Sequence, residues 1–539
     1  MVVIRILIKS SLPLFMVALV ASILTGFTST MVIRSIHQAV EGSDFDLNSF
    51  LIEFGIFWVG YGVLSIVASY AVSRLMQRII HELRVDMSKK IIQAPFEEIE
   101  HNESKLLPIL GADIDKIAQY VSTLPAVTTG LATVIGLLGY MVWYSPLLSL
   151  ATIFLFVIIF LLTKIALPLI RKYAYGSRSY LNDLFEHFEG LVLGIKELTL
   201  NRKLSKSFVD DHLIPTSKTQ MRFYLKESIV GAIFNRSTDL VLLLGMGALI
   251  VIIFQTGFVT LEFFGKYLIL VLMTIAPLSS ATGFLRSLKN IEVTFKHIEK
   301  IGISLEPSFQ HNDEISNENW SEKNDPLIEL KGLEHSYYHA DEDEHFKLGP
   351  IDLGIKRGES VFIVGGNGSG KTTLAKLMLG LYKPLAGKLL YRGEEVEENT
   401  LNFYRSRFSA VFTDSYVFTE LDHIDPEILK EQGQELIDML ELSKKVRIEN
   451  NSFTTKRLSD GQKKRLLLIS AILEDKEVYL FDEWAANQDP YFKEIFYHKI
   501  IPFLKERGKT LIVITHDDRY FHLSDSLLKL QDGKLAKHG

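Results

Sequence analysis

The sequence predicts a multidomain protein, with an all-α domain of six membrane-spanning helices followed by an α/β domain. Long apolar runs are confined to the first 300 residues, and alternating strand and helix patterns begin after a polar segment at 304–326. The mean hydropathy is +0.18 although the last third of the chain is polar, so the apolar residues are concentrated at the front. At 539 residues the chain is also too long for one ordinary domain.

The first domain, residues 1–303, contains six apolar runs. Each run has about 20 residues, enough for a helix to cross the roughly 30 Å hydrocarbon core of a bilayer. The runs are Leu12–Ile33, Phe50–Val72, Val121–Tyr144, Leu147–Leu169, Ala232–Phe254 and Phe263–Phe284. Six such runs in succession are more than the core of a soluble protein supplies, so we expect this domain to lie in a lipid bilayer.

Basic residues predict how the chain crosses the membrane. They crowd the two long connections after the second and fourth runs, whereas the link after the first run is acidic. The basic residues are Arg74, Arg78, Arg84, Lys89, Lys90, Arg171, Lys172, Arg178, Lys196, Arg202, Lys203 and Lys206. By the positive-inside rule, both termini and both long connections are cytoplasmic. Helical patterns within the connections indicate that helices two to five continue beyond the membrane.

Charged residues also stand inside or beside the apolar runs, where they are expensive in lipid. Glu53, Lys164, Arg236 and Asp239 are expected to face a cavity or one another. Arg236 and Asp239 are three residues apart, which favours an ion pair within one helix.

Residues 304–326 are polar and rich in turn formers, so we interpret them as a linker, and residues 327–539 as the α/β domain. The net charge of −6 is small for this length and gives no support for a nucleic-acid partner. The absence of cysteine excludes disulfides, thiolate metal sites and a Cys-His peptidase.

The first functional motif of the α/β domain is a phosphate-binding loop. The stretch Gly365–Thr372 follows an apolar β pattern and fits G-x-x-x-x-G-K-[ST]. Glycines let backbone N–H groups surround phosphates, and the next helix directs its positive end toward them. The expected nucleotide-binding residues here are Gly365, Asn367, Gly368, Ser369, Gly370, Lys371, Thr372 and Thr373. Lys371 is expected to reach the outer phosphates and Thr372 to ligate Mg²⁺.

Two carboxylates follow a second apolar strand pattern, Val478–Phe481. Buried carboxylates are costly unless a cation or a proton-transfer role accounts for them. With a phosphate loop about one hundred residues upstream, Asp482 is expected to hold Mg²⁺ and Glu483 to polarise an attacking water.

Further motifs complete an ordered set. Leu458–Gln462 reads LSDGQ and opens a helix pattern, and Asp489 and His516 follow the two acids. Together with the six spans, this order resembles the ATP-binding-cassette (ABC) exporters over essentially the whole chain. The resemblance implies an ATP hydrolase coupled to transport, with ATP and Mg²⁺ as cofactors.

Residue roles also follow from this resemblance. Tyr337 corresponds to the aromatic that stacks on adenine, and His516 to the histidine that, with Lys371, stabilises the γ-phosphate. Ser459, Gly461 and Gln462 correspond to the signature that completes the site of a partner cassette, and Asp489 to the acid that couples the two sites. One chain carries one phosphate loop and one signature, so the implied partner is a second copy, in a homodimer.

The sequence departs from the common exporter pattern at two places. Thr413 stands where a metal-ligating glutamine is usual, and the neighbouring Asp414 is an alternative ligand, so the choice between them stays open. Asp460 replaces the first glycine of the signature pair, which we expect to be tolerated because Gly461 is kept.

The segments DEWAANQDPYF and THDDRYF are very similar to a subgroup of bacterial exporters for cyclic or modified peptides, siderophore precursors and microcins. This likeness implies export of a peptide-derived compound across the bacterial inner membrane. Two alternatives share every ATPase residue: a lipid or drug flippase, and an ABC protein that senses peptides without pumping them.

Overall fold

The computed structural model describes residues 2–41, 46–100, 103–256, 259–260, 262–280, 325–339, 344–486 and 488–537. The chain divides into two compact units. One contains Met1–Ala94 and Glu98–Phe309, and the other contains Pro95–Glu97 and Gln310–Gly539. The expected domain boundary at 303/304, and the linker at 304–326 except its last two residues, lie outside the described residues.

The first unit is all-α. Among the described residues, six helices are long and apolar enough to cross a membrane, which confirms the six predicted spans. Their bounds are α1 Val2–Glu41, α2 Leu47–Gln93, α3 Leu124–Tyr144, α4 Pro146–Leu193, α5 Ile214–Thr256 and α6 Glu262–Ser280. The last four residues of the sixth predicted run, 281–284, lie outside the described part of the chain.

Shorter helical segments join the long helices. Between α2 and α3 lie Phe96–Glu100, Glu103–Pro108, a π-helical turn Ile109–Asp113 and Ile114–Ser122. Between α4 and α5 lie Ile195–Leu200, Arg202–Ser207 and a π-helical turn Phe208–Leu213. Helices α2 and α4 have 47 and 48 residues. At about 1.5 Å per residue each is about 70 Å long, more than twice the hydrocarbon thickness, as their helical connections predicted.

Small residues let α1 and α3 pack closely. A Cβ atom on Gly26 would lie 2.5 Å from the Ala132 Cβ and 2.7 Å from the Thr129 carbonyl oxygen, so only glycine fits there. Close approach through small residues is a common basis of helix association in membranes, where lipid tails compete with apolar side chains. The Arg236 guanidinium lies 3.5 Å from the Asp239 carboxylate, as their three-residue spacing predicted.

The second unit is an α/β structure with two main sheets. A sheet of order β2-β1-β4-β5 is antiparallel, and a sheet of order β12-β11-β3-β10-β9-β6 is parallel except at β12; β7 and β8 form a separate hairpin. The strands are β1 Ile328–His339, β2 Glu344–Ile355, β3 Ser360–Gly365, β4 Ala386–Tyr391, β5 Glu394–Glu395, β6 Phe408–Val411, β7 Ile448–Glu449, β8 Ser452–Phe453, β9 Val478–Asp482, β10 Thr510–Ile514, β11 Ser526–Gln531 and β12 Lys534–Lys537.

The second unit also contains several shorter helices. They are α7 Lys371–Met378, α8 Leu401–Arg405, α9 Pro426–Met439, α10 Asp460–Leu473, α11 Pro490–Ile495 and α12 Ile501–Glu506, with a π-helical turn Phe496–Ile500 between the last two and a 3₁₀ turn Asp518–Leu523. Strands β9 and β10 are buried at every residue, as expected for parallel strands covered on both faces. The carboxyl ends of β3, β10 and β9 therefore share one edge, where ligands bind in such sheets.

Candidate active site

The phosphate loop connects β3 to α7. Gly368 and Gly370 have φ values of +75° and +96°, a region that favours glycine. A Cβ atom on Gly370 would also lie 2.8 Å from the Phe346 ring. The loop therefore needs glycine at these positions in order to bring backbone N–H groups round the N-terminus of α7.

Lys371 is held inside this loop. Its side chain is 6% exposed, and its ammonium donates to the carbonyl oxygens of Gly365 and Gly366 at 3.2 and 3.0 Å. The same ammonium lies 3.8 Å from the Glu483 carboxylate. The one strong positive charge of the loop thus stands between the loop backbone and the acids that follow β9.

Asp482 ends β9 and is 2% exposed. The Thr372 hydroxyl donates to its Oδ2 at 2.9 Å, while Oδ1 is buried without a hydrogen-bond partner. Burial raises the pKa of this carboxyl, and the nearby Glu483 charge adds to the effect, against the Thr372 hydrogen bond. A carboxylate oxygen without a partner beside a hydroxyl is suited to a hard cation, so these residues fit Mg²⁺.

Glu483 has a left-handed backbone, with φ of +50°. Its carboxylate lies 3.0 Å from the Nε2 atom of His516. A non-glycine residue held in this conformation stores strain that the surrounding structure must support, and such strain clusters at functional sites. The twist directs the carboxylate toward the strand end that carries His516.

Strand order explains why these residues meet. Strand β10 lies between β3 and β9, and Ile514 pairs with both Ile363 and Asp482. Two residues beyond Ile514, His516 therefore stands between the phosphate loop and the two acids.

Thr413 and Asp414 follow β6, whose Val411 pairs with Phe481 of β9. Both side chains are exposed, and the Asp414 charge acts on the Asp482 carboxyl and adds to its raised pKa, after burial and the Glu483 charge. Both residues thus stand at the edge of the site, and the choice of metal ligand between them stays open. Among the described residues, no group of three His, Asp or Glu side chains forms a metal site by itself. Mg²⁺ in such sites is commonly held by few side chains together with phosphates.

The signature residues begin α10. Ser459 is its N-cap, and the Gln462 side chain accepts from the Ser459 backbone N–H at 3.2 Å in a capping box. Asp460 is almost fully exposed and pairs with Lys463 at 3.2 Å. The hydrogen-bond partners of Gly461 and Gln462 lie within their own neighbourhood, in Arg465, Gln488, Ser459 and Lys445.

The remaining predicted residues have less marked environments. Asn367 is exposed, whereas Ser369 and Thr373 are buried, and the Ser369 hydroxyl has no hydrogen-bond partner. Asp489 caps α11 by accepting from the Phe492 N–H at 3.1 Å. Tyr337 belongs to β1 and pairs with Phe346, but its side chain lies outside the described part of the structure.

Sequence reasoning did not single out Trp484 and Gln488. Trp484 is 2% exposed, and its indole N–H donates to the Lys464 carbonyl oxygen at 2.8 Å. Gln488 is 8% exposed and donates to the Gly461 carbonyl oxygen at 3.3 Å. The sequence signal that could have identified them is their place in DEWAANQD, directly after the two acids. A large ring and a long amide are unusual in an exposed turn.

The fold and the site define a membrane-embedded six-helix domain joined to a phosphate-loop ATPase. Residues 4–200 match the family model of the ABC transporter transmembrane region, and residues 348–486 match that of the ABC transporter. The chain is 32% identical to ATP-binding protein SyrD of Pseudomonas syringae pv. syringae, over 98% of this chain and 95% of that protein. The chain therefore belongs to the ABC transporter family, as a multi-pass membrane exporter that binds and hydrolyses ATP.

Two further proteins widen the comparison. The ATP-dependent lipid A-core flippase of Francisella novicida is 24% identical over 90% of this chain and 84% of that protein. The structure of a bacterial Atm1-family ABC exporter with ATP bound superposes with a TM-score of 0.77 at 16% identity, over 97% of this chain and 95% of that chain. This structural likeness confirms the predicted fold class.

Proposed function

We propose that the protein exports a peptide-derived compound across the bacterial cytoplasmic membrane, by alternating access in a homodimer driven by ATP. Cyclic or modified peptides and peptide siderophore precursors are the proposed cargo class. The observation that carries the cargo proposal is the likeness of DEWAANQDPYF and THDDRYF to exporters of such compounds. The near full-length match to SyrD, at 32% identity, is stronger than the match to the lipid A-core flippase, at 24% identity. The comparison therefore favours this proposal over a lipid flippase.

The geometry of the site supports the proposed residue roles. Glu483 accepts a proton from the attacking water, and His516, 3.0 Å away, orients its carboxylate. Lys371 and His516 stabilise charge on the γ-phosphate. Backbone N–H groups of the phosphate loop and the N-terminus of α7 bind the phosphates.

Thr372 and Asp482 are the proposed Mg²⁺ ligands, with Thr413 or Asp414 as a further one. The unpartnered Asp482 Oδ1 and the Thr372 hydroxyl, joined to the same carboxylate, support this assignment. When bound, Mg²⁺ supplies a Lewis acid that neutralises phosphate charge. Tyr337 is the proposed adenine-stacking residue.

A second copy is proposed to complete each site. Ser459, Gly461 and Gln462 are hydrogen-bonded within their own neighbourhood, and one chain carries a single signature and a single phosphate loop. In the proposed homodimer, the signature of one chain faces the phosphate loop of the other. Both termini and both cassettes are proposed to be cytoplasmic, on the strength of the basic connections.

The second candidate function is a lipid or drug flippase. An apolar cavity of about 800 Å³ lies between α4 and α5, lined by residues such as Leu147, Phe154, Leu249 and Ile253. Apolar walls of this kind suit acyl chains better than a polar peptide. The polar side chains Glu53, Lys164 and Arg236 are exposed on the helices, where they suit a wet cavity instead. The peptide-sensing alternative predicts ATPase activity without transport.

Transport in inside-out vesicles separates these candidates. Vesicles carrying the protein receive ATP and a panel of cyclic peptides, siderophore precursors and labelled lipids, with Lys371→Ala vesicles as control. We expect ATP-dependent uptake of a peptide-derived compound and stimulation of the ATPase by the same compound. ATP-dependent lipid translocation without peptide uptake would support the flippase, and stimulation without uptake would support the sensor.

A further inference from the structure

Two residues that follow Glu483, Trp484 and Gln488, are hydrogen-bonded to the helix that begins with the signature. At one end, the Trp484 indole N–H donates to the Lys464 carbonyl oxygen at 2.8 Å. At the other end, the Gln488 amide donates to the Gly461 carbonyl oxygen at 3.3 Å. We call these two hydrogen bonds the clamp. It joins the turn after Glu483 to α10 at two points one helical turn apart.

Burial makes the clamp stiff. Trp484 is 2% exposed, and its ring stacks on Phe496 at a centroid distance of 4.6 Å. The Arg465 guanidinium lies 3.7 Å from the centre of the Phe492 ring and donates to the Leu440 carbonyl oxygen at 2.9 Å. These contacts tie α10 to the first turn of α11 as well. Buried hydrogen bonds with packed rings are stronger than exposed ones, because breaking them leaves desolvated groups unpaired.

The Trp484 end of the clamp lies directly beside Glu483, whose backbone conformation is strained. Glu483 has φ of +50°, and its backbone N–H donates to the Ile514 carbonyl oxygen at 3.0 Å. A strained conformation persists only where neighbouring contacts determine it. Trp484, the next residue, provides such a contact from α10. A shift of α10 must therefore move the turn that sets the direction of the Glu483 carboxylate.

We propose that Trp484 and Gln488 are positioning residues that transmit engagement of the signature to Glu483 of the same chain. The inference rests on the proposed roles of Glu483 and of the signature in a dimer. When the nucleotide held by the partner chain engages Ser459, α10 becomes fixed, and the clamp fixes Glu483 in its own site. Each chain thereby readies its own proton acceptor only when the partner's nucleotide is in place.

The hydrogen bonds of the clamp can be removed separately from its packing contacts. Trp484 supplies both a ring for stacking and an N–H for Lys464, and Gln488 supplies an amide of the right length for Gly461. Substitution with Phe keeps the ring and removes only the N–H. Substitution of Gln488 with Met keeps the length and removes only the amide. These two changes test the hydrogen bonds with little change in packing.

The first measurement compares ATP hydrolysis with ATP binding in the full-length protein in detergent. We expect Trp484→Phe with Gln488→Met to lower kcat about tenfold while the Kd for ATP stays near wild type, and to lower the melting temperature modestly, because the Lys464 and Gly461 carbonyl oxygens each lose a donor. Trp58→Phe, at a ring that is 60% exposed on α2, is the matched control and keeps the wild-type kcat. A parallel loss of ATP binding and melting temperature would show a merely structural role and overturn the proposal.

The second measurement is a double-mutant cycle with Ser459→Ala. If the clamp transmits signature engagement to Glu483, Ser459→Ala lowers kcat strongly in the wild-type background. In the variant with Trp484→Phe and Gln488→Met, the same change lowers kcat much less. Losses that simply multiply would overturn the proposal while leaving the dimeric mechanism intact. A Ser459→Ala change without effect in the wild type would contradict the proposed dimeric mechanism itself.

Discussion

The Nε2 atom of His516 lies 3.0 Å from a carboxylate oxygen of Glu483, across the ends of two neighbouring parallel strands. The two residues are 33 positions apart in sequence, and the strand pairing brings them together. This contact places a proton acceptor beside a group that can orient it. It suggests that Glu483 is the residue whose loss most affects turnover.

Glu483→Gln should abolish ATP turnover while ATP still binds. The amide keeps the shape of the side chain but does not accept a proton, and general base catalysis contributes roughly 100-fold to 10,000-fold to a rate. Steady-state ATPase activity and binding of a labelled nucleotide to the purified variant measure the two effects. Glu395→Gln, at an exposed carboxylate of β5, serves as the control for hydrolysis. Turnover near the wild-type rate would remove Glu483 from the proposed role.

Mixed dimers should recover one composite site. Lys371→Ala removes the phosphate-loop ammonium, and Ser459→Arg places a bulky charge at the N-cap of α10. Each variant alone carries two damaged sites in a homodimer, whereas a mixed dimer contains one intact site. We expect ATPase activity to appear on mixing the two inactive chains in detergent. Full activity of monomers separated by size would contradict the composite site.

Asp482→Asn should stabilise the nucleotide-free protein while abolishing Mg²⁺-dependent hydrolysis. Burial raises the pKa of the Asp482 carboxyl, so keeping it ionised lowers the stability of the fold. Thermal unfolding in chelator should show a higher melting temperature for the variant. When Mg²⁺ and ATP are added, the melting temperature of the wild type should rise by more than that of the variant. An equal or lower melting temperature of the variant in chelator would contradict this account.

Glu477 should make the cassette sensitive to acid. Tyr391 and Arg357 donate to its carboxylate at 2.5 and 2.6 Å, and Arg392 at 3.0 Å. Burial disfavours the charge, but these hydrogen bonds and the Arg392 charge outweigh it, so the pKa of Glu477 lies below its ordinary value of 4.5. Because the folded-state pKa is the lower one, this stability is present above pH 4.5 and is lost as pH falls through the folded-state value.

The corresponding variant is Glu477→Gln. At pH 7 it should destabilise the cassette by about 3 kcal/mol, because the largely buried Arg392 loses a carboxylate partner and the Tyr391 hydroxyl loses a charged acceptor, whereas the pair with the exposed Arg357 adds little. The difference in melting temperature from the wild type should shrink as the pH is lowered below 4.5. Lys388→Gln, which breaks an exposed pair with Glu395, is the control and should change stability little. A difference that stays constant with pH would contradict the assignment to Glu477.

Much of the fold follows from local sequence signals. Apolar runs of about 20 residues predict the six spans, because the bilayer sets the length of a spanning helix. The phosphate loop and the acids after Val478–Phe481 are also local, and parallel pairing places them at one edge. The Asp482–Thr372 hydrogen bond is a direct consequence of that pairing.

Other features depend on packing that local patterns do not specify. The clamp joins residues 20 and 27 positions apart, and although the ring and the amide are unusual for an exposed turn, nothing local in the sequence says which carbonyl oxygen each of them meets. The left-handed backbone of Glu483 is likewise set by its neighbours, since a glutamate by itself avoids that conformation. The π-helical turns between the long helices also carry no clear sequence signal.

Helix α2 runs for 47 residues with no proline in its sequence. With roughly 30 Å of its length of about 70 Å in hydrocarbon, about 40 Å of continuous helix projects past the bilayer. Such a rod acts as a lever arm: a tilt of about 10° at the membrane surface displaces its far end by about 7 Å, more than the pitch of one helical turn. A small tilt of this helix within the membrane therefore produces a large movement of its end outside the membrane.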